Sequence, residues 1–124
     1  MKRHSKKRDA ILDIMRSTTV HPSAEWVYTQ LKPKIPDLSL ATVYRNMAAF
    51  LEEGTVIAVG TVAGQERYDF NTEPHVHFIC DRCNRILDLD VSMDFSAAEA
   101  VLQKYDVQID RQELVFHGRC EQCK

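Results

Sequence analysis

The sequence lacks any long apolar run: none of its 124 residues belongs to an uncharged stretch that approaches the length of a membrane span. Its opening residues, Met1–Arg8, are charged, and no apolar segment follows them, so a secretory signal is not expected. We therefore expect a cytoplasmic protein with no membrane partner. At this length the chain should form one domain or two small ones.

The sequence also has little net charge, −2 at pH 7, which at first argues against a nucleic-acid partner. The charge is unevenly divided. Residues 1–70 carry ten Lys/Arg and eight Asp/Glu, whereas residues 71–124 carry six and ten. Five of the ten basic residues in the first part stand near its start, namely Lys2, Arg3, Lys6, Lys7 and Arg8. This division permits a basic face on the first half, although basic tails are often simply solvated.

No cysteine stands outside two C-x-x-C pairs, which are Cys80/Cys83 and Cys120/Cys123. This spacing lets two thiolates on one tight turn share a tetrahedral ion. Two disulfides and a thioredoxin-like C-x-x-C are the alternatives, but one zinc site uses all four cysteines and leaves none over. The sequence thus predicts a structural Zn(II) ion held by the four thiolates, which closes a loop of about forty residues and stabilises a small unit.

Two histidines stand just before the first cysteine pair, at His75 and His77. On a strand, residues i and i+2 point to the same face, so both imidazoles can reach one ion. That ion would be a second one, because four cysteines already fill the first site. The alternative is a pair of partly exposed strand residues. Nearby carboxylates, Asp69 and Asp88 above all, favour a mixed site suited to iron(II), manganese(II) or zinc.

Helical periodicity recurs three times in the first half of the chain. Apolar residues at i, i+3 and i+4 predict helices over residues 6–16, 24–31 and 40–53. Ser23 and Ser39 are suited to cap the second and third helices, and Gly54 to end the third.

A hairpin is predicted directly after these helices. The β-branched residues of Thr55–Val62 precede a turn at Ala63–Glu66, and the aromatic stretch Arg67–Phe70 follows it. Three helices and a hairpin form a winged helix-turn-helix, which we assign to residues 1–71.

The second half, residues 72–124, predicts a small α/β unit. Apolar stretches indicate strands at Val76–Ile79 and Arg85–Leu89. A helix should span Phe95–Tyr105 and turn Ala98, Val101 and Leu102 inward, and a last strand should span Val107–His117. The fold class is therefore α+β.

The third helix is the expected reader of DNA. Its residues outside the apolar stripe include Ala41, Thr42, Tyr44, Arg45 and Asn46. Arginine can pair with guanine, small apolar groups can contact a thymine methyl group, and hydroxyl groups can hold phosphate. The same residues also fit an ordinary solvated helix face.

Four segments in this order resemble the ferric uptake regulator superfamily over nearly the whole chain: His21–Ala24, Ser39–Asn46, Arg67–Phe70 and His75–Cys83. The resemblance implies a homodimeric, metal-dependent repressor with an N-terminal winged helix and a C-terminal dimerisation domain. It implies binding to a double-stranded, A/T-rich palindromic operator. DNA contacts would come from Ser39, Ala41, Thr42, Tyr44 and Arg45.

The resemblance also implies the regulatory ligands, which would be His21, Asp69, His75, His77 and Asp88. Aspartate at position 88 is similar to the peroxide-sensing branch, in which such a set holds iron(II) or manganese(II). Iron-sensing members usually have glutamate there. Peroxide sensing is therefore expected, and an iron, zinc or nickel uptake regulator is the alternative.

Enzymatic functions are the competing class. A metal-dependent hydrolase could use a His/Asp site with an open coordination position. The sequence shows neither a pocket loop nor a paired general acid and base, and five protein ligands leave little room for water. We therefore expect a binding protein and not an enzyme.

Overall fold

The computed structural model describes residues 5–73, 75–91, 94–110 and 112–124. The chain forms two compact units, one reaching to Thr72 and the other running from Glu73 to Lys124. Lys2 and Arg3 of the basic opening segment lie outside the described residues, as does Arg111 in the predicted last strand. Every helix in the described part of the chain is too short or too polar to cross a membrane.

Three helices build most of the first unit: α1 Lys6–Ser17, α2 Ala24–Leu31 and α3 Leu40–Glu53. Each is preceded by a serine whose hydroxyl oxygen accepts a backbone N–H from the first turn, and these serines are Ser5, Ser23 and Ser39. Gly54 ends α3 in the left-handed conformation, with φ 77°, as predicted.

The helices bury their apolar faces in one core. Its residues come from all three helices, the segments after them and β2, and they are Ile11, Met15, Ala24, Val27, Leu31, Leu38, Val43, Met47, Phe50, Val56 and Tyr68. Burying one such large side chain contributes about 1.5–3 kcal/mol. The described residues of the first unit thus form an apolar core.

The hairpin that follows consists of β1 Ile57–Val62 and β2 Gln65–Asp69, paired antiparallel. The predicted four-residue turn is wrong, because Gln65 and Glu66 already pair with Val62 and Thr61. The turn is only Ala63-Gly64, and both residues are left-handed, with φ 52° and 81°. Two left-handed residues match the twist of a tight hairpin, which is why the second strand begins earlier than predicted. Helices and hairpin together form a winged helix-turn-helix.

The second unit contains a three-stranded sheet of β3 Val76–Cys80, β4 Ile86–Leu89 and β5 Leu114–Gly118. The strand order is β4-β3-β5; β4 runs antiparallel and β5 parallel to β3. Because β3 and β5 are parallel neighbours, they end at the same edge of the sheet.

The helix of the second unit, α4, spans Ser96–Leu102, and a short 3-10 turn continues it through Gln103–Tyr105. The prediction that it buries an apolar face is wrong in this chain. Ala98 and Val101 are exposed, Leu102 is half-buried, and α4 has no fully buried residue.

The predicted last strand also begins too early, since among its described residues pairing with the sheet starts at Leu114 and runs to Gly118. Val107 and Ile109 precede it without strand structure and are about half exposed, at 53% and 47%. The second unit thus leaves several large apolar side chains in solvent, which we call the exposed apolar set: Val91, Val101, Tyr105, Val107, Ile109 and Phe116.

Candidate functional site

The two cysteine pairs meet because of the parallel strands. Cys80 is the last residue of β3, and Cys120 follows β5 by two residues. Cys80 aligns with Gly118 across the sheet, and the backbone N–H of Asp81 donates to the Gly118 carbonyl at 2.7 Å. Each pair then lies on a tight turn, closed by N–H groups that donate to the Cys80 and Cys120 carbonyls. The sheet edge therefore brings two C-x-x-C turns side by side.

The sulfur positions fit a tetrahedral metal ion. The Sγ atoms of the four cysteines all lie within 4.8 Å of one another, and those of Cys83 and Cys120 are 3.7 Å apart. Four sulfurs at about 2.3 Å from zinc stand about 3.8 Å from one another. The four-cysteine cluster is therefore compatible with a zinc site, and none of the four cysteines forms a disulfide in the structure.

One of these thiols is held ready to ionise. The backbone N–H groups of Cys83 and Cys120 both donate to the Sγ atom of Cys80, each at 3.5 Å. These two donors stabilise the thiolate and lower the pKa of Cys80 from 9.0 to about 6. Because the thiolate is the form that binds metal, Cys80 is prepared as a ligand near neutral pH.

A second group of ligand-type side chains lies on the other face of the same sheet. His75 and His77 share one face of the chain entering β3, since side chains alternate along a strand, and Cys80 belongs to the opposite parity. His77 stands directly opposite Asp88 in the β3–β4 ladder. The two imidazole rings lie 4.2 Å apart between centroids and are inclined by 63°. The pairing register thus gathers two imidazoles and a carboxylate.

The distances in this group suit adjacent ligands of one ion. Asp88 Oδ1 lies 3.0 Å from His75 Nε2 and 3.2 Å from His77 Nε2. Ligand atoms at about 2.1 Å from an ion and at right angles to each other are about 3.0 Å apart. The His75 Nδ1 atom lies 2.6 Å from the Glu73 carbonyl oxygen, which orients the ring so that Nε2 faces Asp88.

The first unit contains a histidine and carboxylate pair of its own. His21 Nε2 lies 3.3 Å from Asp69 Oδ2, and both side chains are buried, at 4% and 9% exposure. The other carboxylate oxygen of Asp69 accepts the backbone N–H of Asn71 at 2.9 Å. His21 precedes α2 and Asp69 ends β2, so tertiary structure alone brings them together.

The predicted DNA-contacting residues lie at the start and on the outer side of α3. Ser39, Ala41, Tyr44 and Arg45 are exposed, and Thr42 is half-buried. The Ser39 and Thr42 hydroxyl groups are 2.8 Å apart, and Arg45 Nη2 donates to Thr42 Oγ1 at 3.1 Å. The helix therefore offers a polar face whose arginine is already oriented by its neighbours.

Sequence reasoning missed two residues that act on these groups. Glu25 of α2 accepts a hydrogen bond from the Tyr44 hydroxyl, and Arg67 of β2 donates to backbone carbonyls beside His21. Neither role has a local signal, because each joins positions far apart in the chain. Arg67 does stand in the Arg67–Phe70 motif, but the motif itself does not say what the arginine contacts.

Comparison with known proteins gives consistent results. The sequence profile of the ferric uptake regulator family matches residues 2–123. The peroxide-responsive repressor PerR of Staphylococcus epidermidis is 31% identical over 118 residues, which cover 95% of this chain and 79% of that protein.

Solved structures are similar over the same length. The peroxide stress regulator of Campylobacter jejuni matches with a TM-score of 0.73 and 27% identity, covering 94% of this chain and 88% of that one. The ferric uptake regulator of Helicobacter pylori, described as having three functional metal-binding sites, matches with a TM-score of 0.83. Its identity is 22%, with 98% of this chain and 81% of that one covered, so this likeness concerns the fold alone.

Proposed function

Because this chain belongs to the ferric uptake regulator family, we propose that it is a metal-dependent transcriptional repressor that senses peroxide through a regulatory iron(II) or manganese(II) ion. It would bind an A/T-rich palindromic operator as a homodimer, with Ser39, Ala41, Thr42, Tyr44 and Arg45 at the DNA. A structural zinc ion would be held by the four cysteines.

One observation carries the proposal: Asp88 contacts two histidines at ligand spacing, while the thiols form a separate cluster. Imidazole and carboxylate ligands suit iron(II) and manganese(II), whereas four thiolates select zinc. Two chemically different ligand sets in so short a chain support two ions with different roles. Aspartate at position 88 supports the peroxide-sensing branch.

The regulatory ion would be bound by His21 and Asp69 together with His75, His77 and Asp88. Because the first two belong to the DNA-binding unit and the others to the second unit, such an ion stabilises only the arrangement in which all five groups meet. Its higher affinity for that arrangement would act as the switch, since a ligand shifts an equilibrium only by its differential affinity for the two states. Iron(II) in the set would supply the reaction with hydrogen peroxide that oxidises a ligand histidine, His21 or His75.

The proposed dimer is supported by the exposed apolar set of the second unit. Side chains such as Val101 and Tyr105 are 51% and 67% exposed, which is unusual for a small unit that must gain stability by burying apolar surface. A second copy of the chain would cover them, and a two-fold symmetric protein reads a palindrome.

The test is a gel shift with the zinc-loaded protein and operator DNA. Manganese(II) and iron(II) should each raise DNA affinity, hydrogen peroxide should abolish binding only with iron, and Asp88→Ala should remove the metal dependence. Binding that is indifferent to metal would overturn the proposal. Affinity should also fall with salt in proportion to the number of phosphate contacts.

Mass spectrometry separates peroxide sensing from metal-level sensing. After aerobic exposure of the iron-loaded protein, an added oxygen is expected on the peptide carrying His21 or His75. Metal-dependent DNA binding without that oxygen would favour an iron, zinc or nickel uptake regulator.

A further inference from the structure

The backbone at His21 is in a conformation that few residues other than glycine adopt. Its φ is 55°, in the left-handed region. Such a conformation persists only where neighbouring contacts hold it, and it is often found at functional positions. The contacts that hold the His21 backbone in this conformation therefore also determine where its ring lies relative to Asp69.

Arg67 supplies two of those contacts. Its Nε atom donates to the His21 carbonyl at 2.5 Å, and its Nη2 atom donates to the Val20 carbonyl at 2.7 Å. The guanidinium group thus binds two consecutive carbonyls with two N–H groups of one rigid plane. Lysine cannot reproduce this, because its ammonium group is a single point on a flexible stem.

The rest of the loop is paired with the same strand. The backbone N–H of Tyr68 donates to the Pro22 carbonyl at 2.9 Å, and Ser23 forms an antiparallel bridge with Arg67. The segment from Val20 to Ser23 is therefore attached to β2 by side-chain and backbone bonds.

Asp69 stands two residues after Arg67 on β2, so the same strand supplies both the clamp on the His21 backbone and the carboxylate facing its ring. We infer that Arg67 is a positioning residue that fixes the loop at His21 and so sets the spacing of the His21–Asp69 ligand pair. The inference rests on the proposed function, in which that pair binds the regulatory ion.

Arg67 would act on the ion only through the loop. Removing a residue that orients a metal ligand usually lowers metal affinity by about 10–100-fold. Losing the clamp should also free the loop from β2 and expose the Tyr68 N–H to exchange. A purely stabilising arginine would change neither quantity in protein that remains folded.

The experiment uses the zinc-loaded full chain and manganese(II) alone as the probe. Arg67→Lys should raise the manganese Kd about tenfold or more, measured by calorimetry. In zinc-loaded protein without manganese(II), the Tyr68 amide hydrogen should exchange faster in the variant than in the wild type, as measured by NMR. Arg67→Gln, which keeps one short donor, serves as a second variant if the lysine variant is poorly folded.

Two reference variants serve as controls, one expected to have no effect on manganese affinity and one expected to lose it. Arg8→Lys changes an arginine of the same unit that pairs with Glu53, at 2.9 Å, and should leave both quantities as in the wild type. His21→Ala should lose at least as much manganese affinity as Arg67→Lys.

The outcomes are distinguishable. A manganese Kd within twofold of wild type in both Arg67 variants would overturn the inference, while the effect of His21→Ala would leave the proposed function standing. Lower affinity with unchanged Tyr68 exchange would also overturn it, because the loop would not be the route. If His21→Ala itself has no effect, the ligand assignment in the proposed function fails, and the inference fails with it.

Discussion

The two units of this protein obtain their stability in different ways. The first unit has a core in which Val27, Val43, Met47 and Phe50 are fully buried. The second has three short strands and a helix, α4, with no buried residue. Apolar side chains that a larger domain would enclose remain exposed there, Tyr105 at 67%.

This difference indicates that the second unit is the one expected to depend on a metal ion and a partner. A unit of about fifty residues buries too small a fraction of its surface to be secure alone. The two C-x-x-C turns meet at the edge of its sheet, so a metal ion bound there would contribute directly to folding. Because the first unit has a buried apolar core, we expect it to fold without an ion.

Loss of the four-cysteine site is expected to have the largest effect. Cys120→Ser, or removal of zinc by a strong chelator, should unfold the second unit, because structural zinc sites contribute about 10–16 kcal/mol in small zinc-binding peptides. The helices of the first unit should remain. NMR would resolve the two units, and Gln122→Ala, which changes the same turn without removing a thiol, should resemble wild type. Unfolding of both units together would contradict the expectation that only the second unit depends on zinc.

Acid should produce the same loss more gradually. The pKa of Cys80 is lowered from 9.0 to about 6, so the fold stabilises its thiolate, and that stabilisation disappears as pH falls through 6. Zinc retention should therefore decline below about pH 6 as protons compete for the sulfur atoms. Zinc release can be followed with a chromophoric chelator across a pH series. Full retention at pH 4 would contradict this account.

A core substitution should have the next largest effect, and in the other unit. Phe50→Ala should destabilise the first unit by about 3–5 kcal/mol, because it leaves a cavity in a fully packed core. Zinc content should not change. The matched control is Phe116→Ala in the second unit, where the side chain is 44% exposed; in protein dilute enough to be monomeric, the expected cost to chain stability is below about 1 kcal/mol. Urea denaturation measures the free energy of unfolding of both variants. Equal losses in the two would contradict the difference between the two units.

A charge in the exposed apolar set should have the smallest effect on folding but a specific effect on assembly. Val101→Asp should weaken the proposed dimer by about 1–3 kcal/mol, because the charge would be buried on association. Val20→Asp introduces the same change at a valine of the first unit that is 43% exposed and should leave the dimer intact. Analytical ultracentrifugation over a concentration series gives both dissociation constants. Equal dissociation constants for the two variants would mean that the dimer interface does not include Val101.

Local signals explain which parts of the fold could be predicted from the sequence. Ser23, Ser39 and Gly54 bound α2 and α3 as expected, since a cap depends on residues one turn away. The spacing of the two C-x-x-C pairs likewise predicted a four-cysteine cluster, which the structure contains.

Non-local features could not be predicted in this way. The parallel pairing of β3 with β5 joins residues about forty positions apart, and no local pattern specifies it. Apolar residues in α4 and before β5 indicated burial, but Val101 and Val107 are 51% and 53% exposed. The Arg67 contacts beside His21 also depend on tertiary structure.

In the proposed function, the thiols and the His/Asp groups bind two ions with separate roles. The most direct measurement is zinc and manganese content per chain in the wild type and in Asp88→Ala, read beside operator affinity. We predict equal zinc in both proteins, with manganese uptake and a gain in DNA affinity only in the wild type. Manganese uptake and operator affinity in Asp88→Ala equal to those of the wild type would contradict the account.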